Sequence, residues 1–225
     1  MSLIAALTGS VLLLQTLGAD LARAEEERLE ACVAKIEVSA EDAYEDGLAW
    51  THEGNRPGAR QCTALALIAL GNYETGANRL MQLARSTDGG SMEQRAVYLS
   101  QAGHAWLQAD ATDAAVRSFT EALKLAPGAT ELLLDRAAAY IVSEKWDEAL
   151  ADLDLALINA PGDVAGHQLR AEVHLNKKNL AAAKKDVDAA MAADPKNIDT
   201  LLVRGRVREA IRIAEDDGEL VVVSQ

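Results

Sequence analysis

From Ala96 onward, small and large apolar positions return along the chain every 34 residues. Gly103, Ala137 and Ala171 hold the eighth position of three successive units, and Trp106, Tyr140 and His174 hold the eleventh. Ala115, Ala149 and Ala183 fall at the twentieth, Ala122, Ala156 and Ala190 at the twenty-seventh, and Pro127, Pro161 and Pro195 at the thirty-second. Between these markers the apolar residues follow helical spacing, which predicts two amphipathic helices in each of the units 96–129, 130–163 and 164–197. The small residues let two helix backbones approach, and the large ones fill the space between them. Proline cannot continue a helix, so each one starts the turn to the next unit.

A 34-residue helix–turn–helix unit with these markers resembles the tetratricopeptide repeat family. The resemblance is strong over residues 96–197, and residues 198–214 read as one further, capping helix followed by a tail at 215–225. It implies an all-α fold, a right-handed α-solenoid in which each unit buries its apolar face only against its neighbours. His167 and His174 depart from the large aromatic or apolar residues the family prefers, and Ala111 stands where its turn carries an aromatic; Trp146 supplies that aromatic in the unit that begins at Thr130. Upstream the pattern weakens without stopping. Gly54–Ala59 and Gly71–Gly76 resemble the family's turns, which places helices near 41–53, 58–70 and 77–86. Residues 25–57 then form acidic N-terminal helices and 58–95 a divergent helix pair. Counting back from residue 96 makes 58–70 and 25–37 both first helices of their pairs, so Cys32 and Cys62 lie on neighbours that pack side by side. The Asp88-Gly-Gly-Ser91 linker is expected to loosen the junction between the two halves.

Composition agrees with packed helices. Apolar residues make up 49% of the chain but aromatic ones only 4%, and the alanine and leucine that dominate are strong helix formers. With 35 acids against 22 bases, the chain is repelled by phosphate backbones, which argues against nucleic acid as a partner. Residues 25–56 hold ten acids and three bases, a solvated face. The start of the chain points to export. Leu3–Leu17 is uncharged and apolar, too short for a membrane span but suited to a signal peptide, and Ala22-Arg23-Ala24 forms an A-x-A cleavage site ahead of Glu25. The n-region lacks Lys or Arg, so an uncleaved anchor and a buried helix are the alternatives to a signal peptide at 1–24. Cys32 and Cys62 are the only cysteines; in an oxidising compartment they are expected to form a disulfide, the alternative being two buried free thiols.

No catalytic motif is present: the chain lacks a phosphate-binding glycine loop, a nucleophile elbow and an H-E-x-x-H pair. No metal or cofactor is expected. His167 and His174 lie two turns apart at packing positions, and Arg136, Arg170 and Arg204 recur at the seventh position, which suggests packing and hydrogen bonding for both sets. The family's inward-facing positions imply a groove lined by Val97, Ser100, His104 and Leu107, by Leu134, Ala138 and Ile141, by Gln168, Glu172 and Leu175, and by Arg206. The basic clamp that some relatives use for an acidic chaperone terminus is missing from these positions. The resemblance therefore implies a non-enzymatic protein-binding scaffold in the bacterial periplasm, holding an amphipathic helix or extended peptide. Filling of the groove by the chain's own Leu220–Val223 tail, and self-assembly through the cap helix and that tail, are the alternatives.

Overall fold

The computed structural model describes the backbone of residues 3–216 and the side chains of residues 20–216. The tail at 217–225 and most of the signal-like segment therefore lie outside the described side chains. All regular structure among the described residues is helical, in eleven helices, and the chain divides into two compact units between Ala109 and Asp110.

The first unit holds α1 (Leu3–Ile36), α2 (Ala40–Gly54), α3 (Pro57–Ala69), α4 (Tyr73–Arg85) and α5 (Met92–Gln108). Ser39 caps α2 by accepting a hydrogen bond from the Asp42 amide, and Pro57 opens α3, where a missing N–H costs nothing. Helix α1 packs on both α2 and α3. Cys32 of α1 and Cys62 of α3 are joined in a disulfide, with Cα atoms 6.0 Å apart, and sit in a buried cluster with Ala43, Trp50, Ala59 and Ala66. Close helix approach is enforced by Gly76, where an added Cβ would lie 2.8 Å from the Ala64 carbonyl oxygen.

The linker after α4 is tied down rather than loose. Arg60 Nη2 donates to Asp88 Oδ2 (2.5 Å), and Arg95 donates to the carbonyls of Ala84 and Gly90. Ser91 and Gln94 then close a reciprocal capping box at the start of α5. The charged side chains reach back across the glycines, and the division between compact units falls after α5 instead.

The second unit holds α6 (Thr112–Leu125), α7 (Thr130–Val142), α8 (Trp146–Asn159), α9 (Val164–Asn176), α10 (Leu180–Ala193) and α11 (Ile198–Asp216). Helices α7 and α8 pair, as do α9 and α10, while α11 packs on α9 and α10. Alanines at the repeat's twentieth and twenty-seventh positions are fully buried. The turn inside each pair repeats as well: Asp110, Glu144 and Lys178 all adopt left-handed φ near +56°. At the latter two, the amide of the following residue bonds back to Tyr140 or His174, closing a Schellman turn. Gly71 plays this part in the first unit, 39 residues before Asp110, so the 86–90 segment lengthens one period by five.

Candidate functional site

A candidate peptide-binding surface can be examined in each unit. In the first, α1, the start of α3, and α5 enclose an open cleft of about 610 Å³. Leu21, Ala22 and Leu29 come from α1, Pro57 and Gly58 from α3, and Val97 and Tyr98 from α5. Gly58 lets the α3 terminus press on the Trp50 ring, since a Cβ there would sit 2.8 Å from Trp50 Cη2. Val97 is 49% exposed, while Tyr98 is buried and its hydroxyl is pushed up in pKa by that burial. Polar groups frame this apolar floor. Glu25 accepts a 2.8 Å hydrogen bond from Arg56 Nη1, Glu26 stands exposed beside it, and buried Gln61 donates to Gln101 Oε1 at 3.0 Å. Of the inward positions expected from sequence, Val97 lines this cleft. Ser100 and Leu107 are half-buried and His104 exposed, farther along α5.

In the second unit the expected residues are divided between core and surface. Leu134 and Ile141 pack on the cluster of Ala137, Ala149, Leu153 and Val173, and Leu175 packs on Ala171, Ala183, Val187, Val203 and Val207. Ala138 is half-buried. The polar members are engaged within the chain: Glu172 accepts from Arg206 Nη1 at 3.0 Å, and Gln168 Nε2 donates to Asn197 Oδ1 and Thr200 Oγ1. This face is therefore half-buried and largely self-satisfied, whereas the expected position Val97 in the first unit lines an open cleft.

Two buried carboxylates escaped the sequence reading. Asp152 and Asp186, only 6% and 3% exposed, each take a bidentate pair from the arginine 16 residues earlier, Arg136 and Arg170. Each arginine also reaches 16 residues further back, to Thr120 Oγ1 and Asp154 Oδ1 respectively. His167 joins the second pair, with Nδ1 3.0 Å from Asp186 Oδ1 and Nε2 3.0 Å from the Pro161 carbonyl. His174 approaches Asp186 Oδ2 at 3.8 Å and leaves its buried Nδ1 without a hydrogen bond. The histidines thus converge on a carboxylate that holds the hairpin together. The recurrence of Asp at 34 residues, in step with Arg136 and Arg170, was the available signal.

Residues 107–173 match the family model described as tetratricopeptide repeat. Solved structures with the same fold include MamA 41-end from Desulfovibrio magneticus RS-1 (17% identity, 79% of this chain and 97% of that one, TM-score 0.64). YrrB, described as a tetratricopeptide protein with an unusual peptide-binding site, matches at 16% identity over 79% of this chain and 88% of its own, with TM-score 0.61. The first tetratricopeptide domain of Spaghetti (RPAP3), solved with the HSP90 peptide SRMEEVD, matches at 22% identity over 53% of this chain and 95% of its own, with TM-score 0.51. No curated protein matches.

Proposed function

We propose that this chain, whose residues 107–173 match the tetratricopeptide-repeat model, is a non-enzymatic binding module whose first unit holds a peptide or helix of a bacterial envelope protein. The observation that carries this reading is the open cleft of about 610 Å³ between α1, α3 and α5, within the size range of sites that enclose a ligand. The part of its floor that cleavage would leave, Leu29, Val97 and Tyr98, suits apolar anchor side chains, and the exposed Glu26 carboxylate suits a cation on the same segment. Peptide binding by Spaghetti and YrrB supports use of the fold in this way. A periplasmic location is supported by the signal-like start and by the Cys32–Cys62 bond, which persists in oxidising compartments. Cleavage after Ala24 would remove Leu21 and Ala22 from the cleft wall and leave Glu25 at the new amino terminus.

The test is selection of peptides from a displayed random library against the mature protein. Selected peptides should share apolar anchors beside a Lys or Arg and lose about tenfold or more in affinity to Val97→Arg, which places a cation on the floor. Ile158→Arg, at an exposed site in the second unit, should leave affinity unchanged. Peptides that bind both variants equally would refute the cleft as the binding site. A second reading, self-assembly through α11, draws on the exposed Ile198, Leu202 and Ile213; an elution volume that shifts with protein concentration would favour it.

A further inference from the structure

A second cavity in the first unit, about 290 Å³ between α2, α3 and α4, has the opposite electrical character. In a chain with 35 acids and 22 bases, it is lined by Arg60 and Arg79 and, among the described residues, by no carboxylate. Among the described residues Arg79 makes no ion pair; its guanidinium lies 5.9 Å from the Tyr44 ring centroid, a contact that orients it without neutralising it. Arg60 spends Nη2 on Asp88, outside the pocket wall, and its buried Nε makes no hydrogen bond. A buried donor without an acceptor is uncommon in a folded protein.

The remaining rim is polar. Asn55 and Gln82 carry amide groups able to donate. The Thr51 and Thr63 hydroxyls already donate to the carbonyls of Leu48 and Arg60, so toward the cavity they are acceptors. Donors to a negative ligand therefore come from the guanidinium and amide sides, and any hydroxyl on the ligand would face the threonines.

We propose that this pocket binds an oxyanion of the phosphate type, free or as a phosphate monoester. Planar guanidinium groups match phosphate oxygens in geometry and charge. The site faces α2 and α4, shares no lining residue with the peptide cleft, and stands whether or not that cleft binds a peptide.

The experiment is an amide NMR titration of the full chain at low ionic strength with inorganic phosphate, and separately with acetyl-Asp-Glu-amide as a carboxylate probe. Saturable shifts at Asn55, Thr51, Thr63 and Gln82 with phosphate are expected, about tenfold weaker in Arg79→Gln and partly restored in Arg79→Lys. The Lys variant keeps the charge without the planar fork, and so separates attraction of the anion from the geometry of its guanidinium contact. The same pattern at lower phosphate-monoester concentrations, with glycerol phosphate as the probe, would identify the esterified source. Saturation by the carboxylate probe alone would overturn the phosphate assignment. Shifts that do not saturate, that spread over the whole surface, or that are unchanged in Arg79→Gln would overturn the site itself.

Discussion

At the level of single residues, the second unit is organised by a small number of buried charges. Asp152 and Asp186 each face a forked guanidinium, a geometry that satisfies both carboxylate oxygens at 3.0 Å or less. Removing one partner of such a pair typically costs about 3–5 kcal/mol, because the other is left buried and unpaired. The arginines were legible in the sequence by their period; their acids were not, because an aspartate on a helix ordinarily reads as solvated surface. His174 shows the same limit. Its position at the repeat's eleventh place was plain, but burial holds its pKa below the ordinary value near 6.5, with Arg170 and Lys177 adding to the effect and Asp186 and Asp154 opposing it. A histidine whose folded pKa is depressed takes up its proton more readily in the unfolded chain, so stability falls as pH drops below about 6.5. His174→Leu should therefore lose less stability between pH 7 and pH 5 than the parent, measured by urea midpoints. An equal or larger loss would place the pH sensitivity elsewhere.

At the level of elements, apolar spacing located the helices because a 3.6-residue stripe must face a neighbour to be buried. Helices expected near 41–53 and 58–70 lie at Ala40–Gly54 and Pro57–Ala69. Starts were less legible. Helix α5 begins at Met92 rather than Ala96, since the Ser91–Gln94 capping box satisfies amides that an apolar pattern does not register. Helix α4 begins at Tyr73, inside the segment read as a turn, because one left-handed glycine, Gly71, suffices to reverse the chain. The equivalent turns at Glu144 and Lys178 place side chains where glycine is preferred. A left-handed residue with a Cβ costs roughly 1 kcal/mol. Glu144→Gly is accordingly expected to raise stability by about 0.5–1 kcal/mol in chemical denaturation; a decrease would mean that the Glu144 side chain contributes more than its backbone costs.

At the level of the whole molecule, the repeat explains why the fold was legible and the binding surface only partly so. Local packing against the next helix pair is written into every 34 residues, and the sequence carries it three times over. Which inward positions remain open depends on how deeply each helix is set against its neighbours. Leu134 and Ile141 are drawn toward the core while Val97 stays half exposed, and no spacing rule separates them. The disulfide belongs to this scale too, because it fastens α1 to α3 across a 30-residue separation. On the chain-entropy model that closure stabilises the fold by about 3–4 kcal/mol. Reduction should lower the denaturation midpoint by a corresponding amount, and Cys32→Ser should reproduce the shift; unchanged midpoints would show that α1 is held by packing alone.

The arginine–aspartate clasp also bears on how such a chain changes length over evolutionary time. Both partners of each clasp lie within the same 34-residue unit, and the outer arm reaches the same place in the unit before. Loss of residues 130–163 would carry away Arg136 together with Asp152 and bring Thr120 to the place of Asp154 beside Arg170. No buried charge would be stranded by that deletion, nor by the matching duplication. The interior electrostatics are modular, so the number of units is free to drift or be selected while the buried arginine and aspartate of each hairpin stay matched.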